Sequence, residues 1–191
     1  MNKTKIFVIY GKAATGKDTF AKAIKKKLGD KVNLVVSATT RPMRPGEVDG
    51  EDYIFLKKSD FLSAIVCGYF LEYKEFNGWY YGILKNSIKK GTTNIVVVDP
   101  SAAKKMNYYN RHPTDVTHIF FYLRAPLITR IRRYLKREGK FSFELIRRFV
   151  TDWFDFLNIN NGIYGIYPHF IVDVNDFDDY VDTAVNIAEN L

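Results

Sequence analysis

Between positions 11 and 19 the chain reads Gly-Lys-Ala-Ala-Thr-Gly-Lys-Asp-Thr. Two glycines separated by four residues, the second followed by lysine, have the spacing of a phosphate-binding loop. The glycines let backbone N–H groups turn inward around phosphate oxygens, and a helix starting at this point adds positive potential. Gly11, Lys12, Ala13, Ala14, Thr15 and Gly16 are thus a candidate cradle for the phosphates of a nucleotide such as ATP. Lys17 is placed to reach the outer phosphates. The residue after such a lysine is usually Ser or Thr, whose hydroxyl helps to hold Mg²⁺; here it is Asp18. A carboxylate beside polyphosphate repels it unless a metal intervenes. Asp18 therefore either touches Mg²⁺, directly or through water, or points away as an acid in the first turn of a helix. Thr19 remains available to phosphate. The plain alternative is a glycine-containing turn with a surface lysine.

A second anion-binding set follows. Ser37, Thr39, Thr40, Arg41, Arg44 and Tyr53 are a dense group of phosphate donors, and arginine offers a planar, bidentate fork. Pro42 and Pro45 stiffen the segment, which lowers the ordering cost of binding. These residue types alone leave open a polar loop with two solvated arginines. A third set lies later: Arg or Lys occupies positions 130, 132, 133, 136, 137, 140, 147 and 148. Helical spacing puts Arg130, Arg133 and Arg137 on one face. A solvated basic helix face is the simple reading of that cluster. Arginines that close over phosphates are the functional one.

These side chains need a frame. Residues 5–10 read as a short buried strand, 11–16 as a small-residue loop, 17–28 as an amphipathic helix stopped by Gly29, and 32–36 as a second strand. Strand, loop, helix and strand in that order indicate an α/β fold with a parallel sheet. Residues 52–56 read as a strand, and Ser59 as the cap of a helix over 60–67 that Gly68 ends. Residues 69–76 and 79–83 pair across Asn77-Gly78, a strong hairpin signal. Strands are expected at 94–98, 117–123 and 169–174, and helices at 101–109, 127–137, 142–157 and 177–190.

The segment from Ser37 to Phe55 closely resembles the monophosphate-binding segment of guanylate kinases, Ser-x-Thr-Thr-Arg-x-x-Arg-x-Gly-Glu-x-x-Gly-x-Asp-Tyr-x-Phe, with every fixed position present. Phe70-Leu71-Glu72-Tyr73 and Tyr81-Gly82 look like that family's next landmarks. The resemblance spans essentially the whole chain and is strongest from 6 to 99. It implies a P-loop kinase core of parallel β-sheet flanked by helices (1–36, 89–126 and 161–191), a small β-rich NMP-binding insert (37–88) and a helical lid (127–160). It implies transfer of the γ-phosphate of Mg-ATP to GMP or dGMP, with Mg²⁺ as cofactor. By resemblance, Ser37, Arg41, Arg44, Tyr53 and Tyr81 hold the acceptor phosphate, and Glu72 accepts hydrogen bonds from guanine. Asp99 is similar to the second of two family aspartates near guanine and the metal; Val97 stands in place of the first. The spacings of Arg133, Arg137 and Arg148 reproduce those of the family's catalytic arginines, and Asn175 resembles its residue near the adenine or ribose of ATP. The family usually has Ser or Thr after Tyr-Gly, contacting the base. Ile83 occupies that place and has no side-chain hydrogen bond to give, so the choice of acceptor base is the open part of this reading.

The 191 residues suit one domain with small insertions. A composition 47% hydrophobic and 26% charged excludes a disordered tail or a collagen-like fibre. One cysteine, Cys67, excludes an internal disulfide. His112, His118 and His169 lack ligand spacing, so no metal centre is expected from them. No apolar run approaches the ~20 residues needed to cross a bilayer, and the first residues lack a signal-peptide pattern. The expectation is a cytoplasmic protein, monomer or homodimer, without membrane or specific nucleic-acid binding. The net charge of +8 by itself implies anionic partners of three kinds: nucleic acid, a membrane surface or small phosphorylated ligands. Two other readings stand beside the main one. One is a kinase of the same shape with a different nucleotide or a phospho-sugar as acceptor, and the other is a non-catalytic binding module of guanylate-kinase shape.

Overall fold

The computed structural model describes residues 3–110, 116–138, 146–147, 149–151, 153, 156 and 168–190. Strand β1 (Thr4–Gly11) is buried at every position. It lies at the centre of a five-stranded parallel sheet, between β7 (Thr93–Val98) and β8 (Val116–Arg124). The outer strands are β2 (Val32–Leu34) and β9 (Phe170–Asp173), giving the order β2-β7-β1-β8-β9. A strand covered on both faces needs apolar side chains in both directions, which explains the unbroken run Ile-Phe-Val-Ile-Tyr at 6–10.

Alternation along β1 divides the core into two layers. Phe7 and Ile9 pack with Phe20, Ala21, Ile24 and Leu28 of helix α1 (Lys17–Leu28) and with Val181 and Ala184 of the C-terminal helix Phe177–Asn190. Ile6, Val8 and Tyr10 face the other side and meet Ala102, Ala103 and Met106 of helix α3 (Pro100–Asn110). Helix α1 begins after Gly16 and ends at Gly29, whose positive φ breaks it; Lys25, Lys26 and Lys27 suit the negative end of its dipole.

A smaller, four-stranded sheet forms the insert. Its long members are the hairpin β5 (Phe70–Phe76) and β6 (Trp79–Leu84), joined at Asn77-Gly78, both with positive φ. Two short strands complete it. Strand β3 (Ala38–Thr39), absent from the sequence reading, lies between β6 and β4 (Ile54–Phe55), giving the order β4-β3-β6-β5. The strand expected over 52–56 shrinks to two residues because the preceding chain is held in a turn, with Gly50 N–H donating to the Tyr53 carbonyl at 2.8 Å. Helix α2 (Lys58–Val66) starts earlier than expected. Lys57 stands at its cap, and Ser59 is inside the first turn with its hydroxyl on Asp60, so Ser59 does not cap it.

Helix α4 (Leu127–Glu138) opens the second insertion. Of the helix expected over 142–157, residues 146, 147, 149–151, 153 and 156 are helical, and the remainder lies outside the described residues. Among the described residues no helix is long and apolar enough to cross a membrane.

Candidate functional site

The carboxyl ends of β1 and β7 open into a cleft of about 320 Å³ that the insert covers from the other side. The edge outside the carboxyl ends of parallel strands is the usual place for a ligand in such a sheet. Gly11 closes the strand where β1 runs hard against β8. A Cβ there would lie 2.4 Å from the Leu123 carbonyl oxygen, so glycine is required. The loop then turns through positive φ at Ala14 and Gly16. Lys17, the first residue of α1, folds back and donates from Nζ to the carbonyls of Gly11 (2.8 Å) and Lys12 (3.0 Å). The Thr15 hydroxyl donates to the Lys12 carbonyl at 2.9 Å. Lys12 itself lies over the Phe156 ring, 5.6 Å from its centroid.

Two arginines of α4 grip the outside of this loop. Buried Arg130 donates from Nε to the Ala13 carbonyl at 2.8 Å, and Arg133 donates to the Thr15 carbonyl at 2.8 Å. Arg133 thus reaches the backbone of the loop. Arg130, assigned only a helix face by the sequence, is an equal anchor. Arg137 lies on α4 without a described side chain, and Arg148 is outside the described residues.

At one end of the cleft Ser37, Arg41, Arg44, Tyr53 and Tyr81 converge, and Lys17 and Asp18 line the same space. Asp18 is an exposed acid of the first turn of α1 and lines the cleft. Arg41 is nearly buried. Its guanidinium pairs with Glu47 at 2.8 Å, bonds the Pro42 carbonyl, and lies over the rings of Tyr53 and Phe55. Burial works against its charge, but the Glu47 carboxylate outweighs that and raises its pKa further. Glu47 also accepts from the Arg44 backbone N–H at 2.7 Å. Glu47 is thus the brace of this segment. It stood in the sequence pattern with no role attached. Burial, with the charges of Asp18 and Tyr81, pushes the Tyr53 phenol up to about 12, so it stays a hydrogen-bond donor.

Thr39 and Thr40 were counted among the phosphate donors and serve differently. The Thr39 hydroxyl donates to the Tyr80 carbonyl (3.0 Å) and accepts from Arg41 N–H (3.1 Å). The Thr40 hydroxyl accepts from Tyr80 N–H at 2.9 Å. Both pin the segment to β6.

The other end of the cleft holds Glu72, Asp99 and, unforeseen, Lys74. Glu72 keeps a buried carboxylate oxygen, Oε2, without a hydrogen-bond partner among the described residues. Burial first, then the nearby Asp99 charge, pushes its carboxyl up to about 7. Asp99 caps α3: Oδ1 accepts from the N–H groups of Ser101 (2.7 Å) and Ala102 (3.1 Å) and from the Ser101 hydroxyl. Its Oδ2 forms an ion pair with Lys74. Burial alone would raise the Asp99 carboxyl, but Lys74 and these hydrogen bonds bring it below the usual range. Asp99 is thereby both the cap of α3 and the ion-pair partner of Lys74. The sequence signal was present as Asp-Pro-Ser, a cap followed by proline at the first helical position. Ile83 is buried in the core with Val98 and Ala102 and is not among the cleft walls, whereas Val97 is. Thr19 is exposed on α1, and Asn175 is exposed beyond β9.

Comparison with known proteins agrees with this geometry. The family model described as guanylate kinase matches residues 3–187. The guanylate kinase of Thermotoga maritima is 31% identical over 176 residues, covering 84% of this chain and 81% of its own. That of Clostridium perfringens is 33% identical over 177 residues, covering 90% of this chain and 79% of its own. Among solved structures, guanylate kinase from Anaplasma phagocytophilum shares the fold, with a TM-score of 0.63 at 22% identity, over 98% of this chain and 85% of that one.

Proposed function

Because this chain belongs to the guanylate kinase family, we propose that it transfers the γ-phosphate of Mg-ATP to GMP or dGMP, giving GDP or dGDP and ADP. The observation that carries the reading is Glu72. A buried carboxylate oxygen without a partner, in a cleft that also gathers arginines and tyrosines, is matched by the adjacent N1–H and amino donors of guanine. A guanine bound there satisfies that oxygen and favours its charged form. Ser37, Arg41, Arg44, Tyr53 and Tyr81 take the monophosphate.

At the donor side the loop amides and Lys17 receive the phosphates of ATP, Lys17 exchanging its bonds to the loop carbonyls for bonds to phosphate. Arg133, Arg137 and Arg148 gather the charge that spreads over the transferring group, and Asn175 lies toward the nucleoside. Phosphoryl transfer asks mainly for positioning and charge neutralisation, which this set supplies. No cluster of three or more metal-ligating side chains occurs among the described residues. Asp18, which lines the cleft beside Lys17, would be a protein carboxylate available to a phosphate-bound Mg²⁺ ion, and that ion would supply charge neutralisation of the donor phosphates. In this reading residues 37–88 and 127–160 are the closing flaps, and closure excludes water from the reaction.

A second reading keeps the chemistry and changes the acceptor. It is favoured by apolar Val97 on the cleft wall and by Ile83 in the core. The test is ADP release from Mg-ATP with GMP, dGMP, IMP, AMP, CMP, UMP or dTMP and without acceptor. Strong preference for GMP or dGMP is expected. Preference for another acceptor selects the second reading. Lys17→Ala is expected to abolish turnover while the melting temperature is retained; normal turnover in that variant would sink the mechanism.

A further inference from the structure

Strand alternation in β5 turns Glu72, Lys74 and Phe76 toward the cleft and leaves Tyr73 and Glu75 exposed. The carboxylate that waits for base donors therefore has an ammonium as its neighbour on the same strand face. Lys74 is also held in place. Its Nζ is paired with Asp99 Oδ2 and lies 5.2 Å from the centroid of the Phe76 ring. Asp99 is fixed in turn, because its other oxygen is bound to the first amides of α3. An ammonium carries three N–H donors, and one ion pair leaves donors for a ligand.

The cleft thus offers an acceptor, Glu72, and a cationic donor, Lys74, side by side. A 6-oxopurine presents the complement: a ring N–H beside a carbonyl oxygen. Adenine presents the reverse, an amino group where the carbonyl would be and a bare ring nitrogen where the N–H would be. Ile83 has withdrawn into the core and gives the base nothing polar. We propose that Lys74 is a specificity residue that donates to the 6-oxo group of the acceptor purine and disfavours a 6-amino group at the same place. This rests on the reading of the cleft as a purine monophosphate site and names the part of the base that a new residue reads.

The test compares the wild-type enzyme with Lys74→Met, which keeps the aliphatic stem and removes the charge, using GMP, IMP and AMP as acceptors. Loss of a charged hydrogen bond is expected to lower kcat/KM for GMP and IMP by about 10- to 100-fold, mostly through KM. AMP is expected to be unchanged or improved, so the preference for oxo over amino purine collapses. Lys74→Arg is expected to recover part of it. An equal loss on all three acceptors would reduce Lys74 to a prop for Asp99 and overturn the proposal, as would no change on any. Should Lys74→Met fail to fold, Lys74→Gln keeps neutral N–H donors, and the same split between acceptors is read with smaller amplitude. A wild-type enzyme inactive with all three purines removes the proposed reaction itself and this inference with it, and that result is seen before any variant is made.

Discussion

At the end of the cleft proposed for the phosphate, Arg41 is clamped by Glu47, placed over two rings and bonded to its own loop, while at the end proposed for the base Glu72 holds a buried oxygen that nothing in the described protein satisfies. The first arrangement is finished before ligand arrives. Its guanidinium loses little freedom on binding, so charge and orientation are already set. The second is incomplete, and its carboxyl is correspondingly reluctant to ionise. A phosphate is the same on every nucleotide, and a rigid site serves it. A base must be told from other bases, and an unsatisfied group that only the right edge completes gives the larger penalty for a wrong one.

The sharpest way to break this contrast is Arg41→Ala. It is expected to lower kcat/KM by about 10³-fold for every monophosphate alike, since the lost clamp does not see the base. A loss confined to guanine nucleotides would merge the two ends into one unit.

The next effect is a pH dependence that belongs to the base end. Guanine donors need the Glu72 carboxylate, so kcat/KM for GMP is expected to fall as pH drops below about 7, approaching tenfold per unit. Glu72→Gln is expected to remove that limb. Stability carries the opposite sign. A carboxyl raised above its ordinary value near 4.5 favours the folded state below that value and loses the contribution as pH rises through about 7. The Gln variant is therefore expected to melt higher than the wild type at pH 8 and to show no such gain at pH 4. Thermal melts at the two values check it.

The smallest effect tests the frame beneath the phosphate end. Thr39→Val removes the hydroxyl that ties the loop to β6 and receives Arg41 N–H, and is expected to cost about 1–3 kcal/mol of stability. Its effect on kcat/KM should be well below that of Arg41→Ala, read by denaturant melts beside the acceptor assay.

Much of this contrast was legible in the residues, and the failures have physical causes. Helix α1 follows its apolar period from Lys17 to Leu28, and the central strand was evident because burial on both faces demands an unbroken apolar run. That Ser37, Arg41, Arg44 and Tyr53 gather in one cleft was legible because anion recognition restricts both type and spacing. Thr39 and Thr40 were misread because a hydroxyl beside arginines has the same letters whether it meets phosphate or a backbone carbonyl. Ile83 was assigned to the base by position, while the direction its side chain takes depends on the register of β6 with its neighbours. Lys74 was within reach of a simple argument, since a residue two places from Glu72 on a strand must share its face. Arg130 was not, because its partner Ala13 is 117 residues away.

The central position of β1 has a consequence for how the chain is made. β1 leaves the ribosome ahead of the other strands of its sheet, yet its two partners, β7 and β8, begin only at Thr93 and Val116. At about 5–20 residues per second, the strand waits on the order of ten seconds before either neighbour emerges. During that interval the chain carries an unpaired apolar segment, while the hairpin of β5 and β6, whose contacts are local, has everything it needs as soon as it appears. The insert is therefore free to assemble ahead of the sheet on which it sits, and nascent-chain binders have a target in β1 throughout that interval.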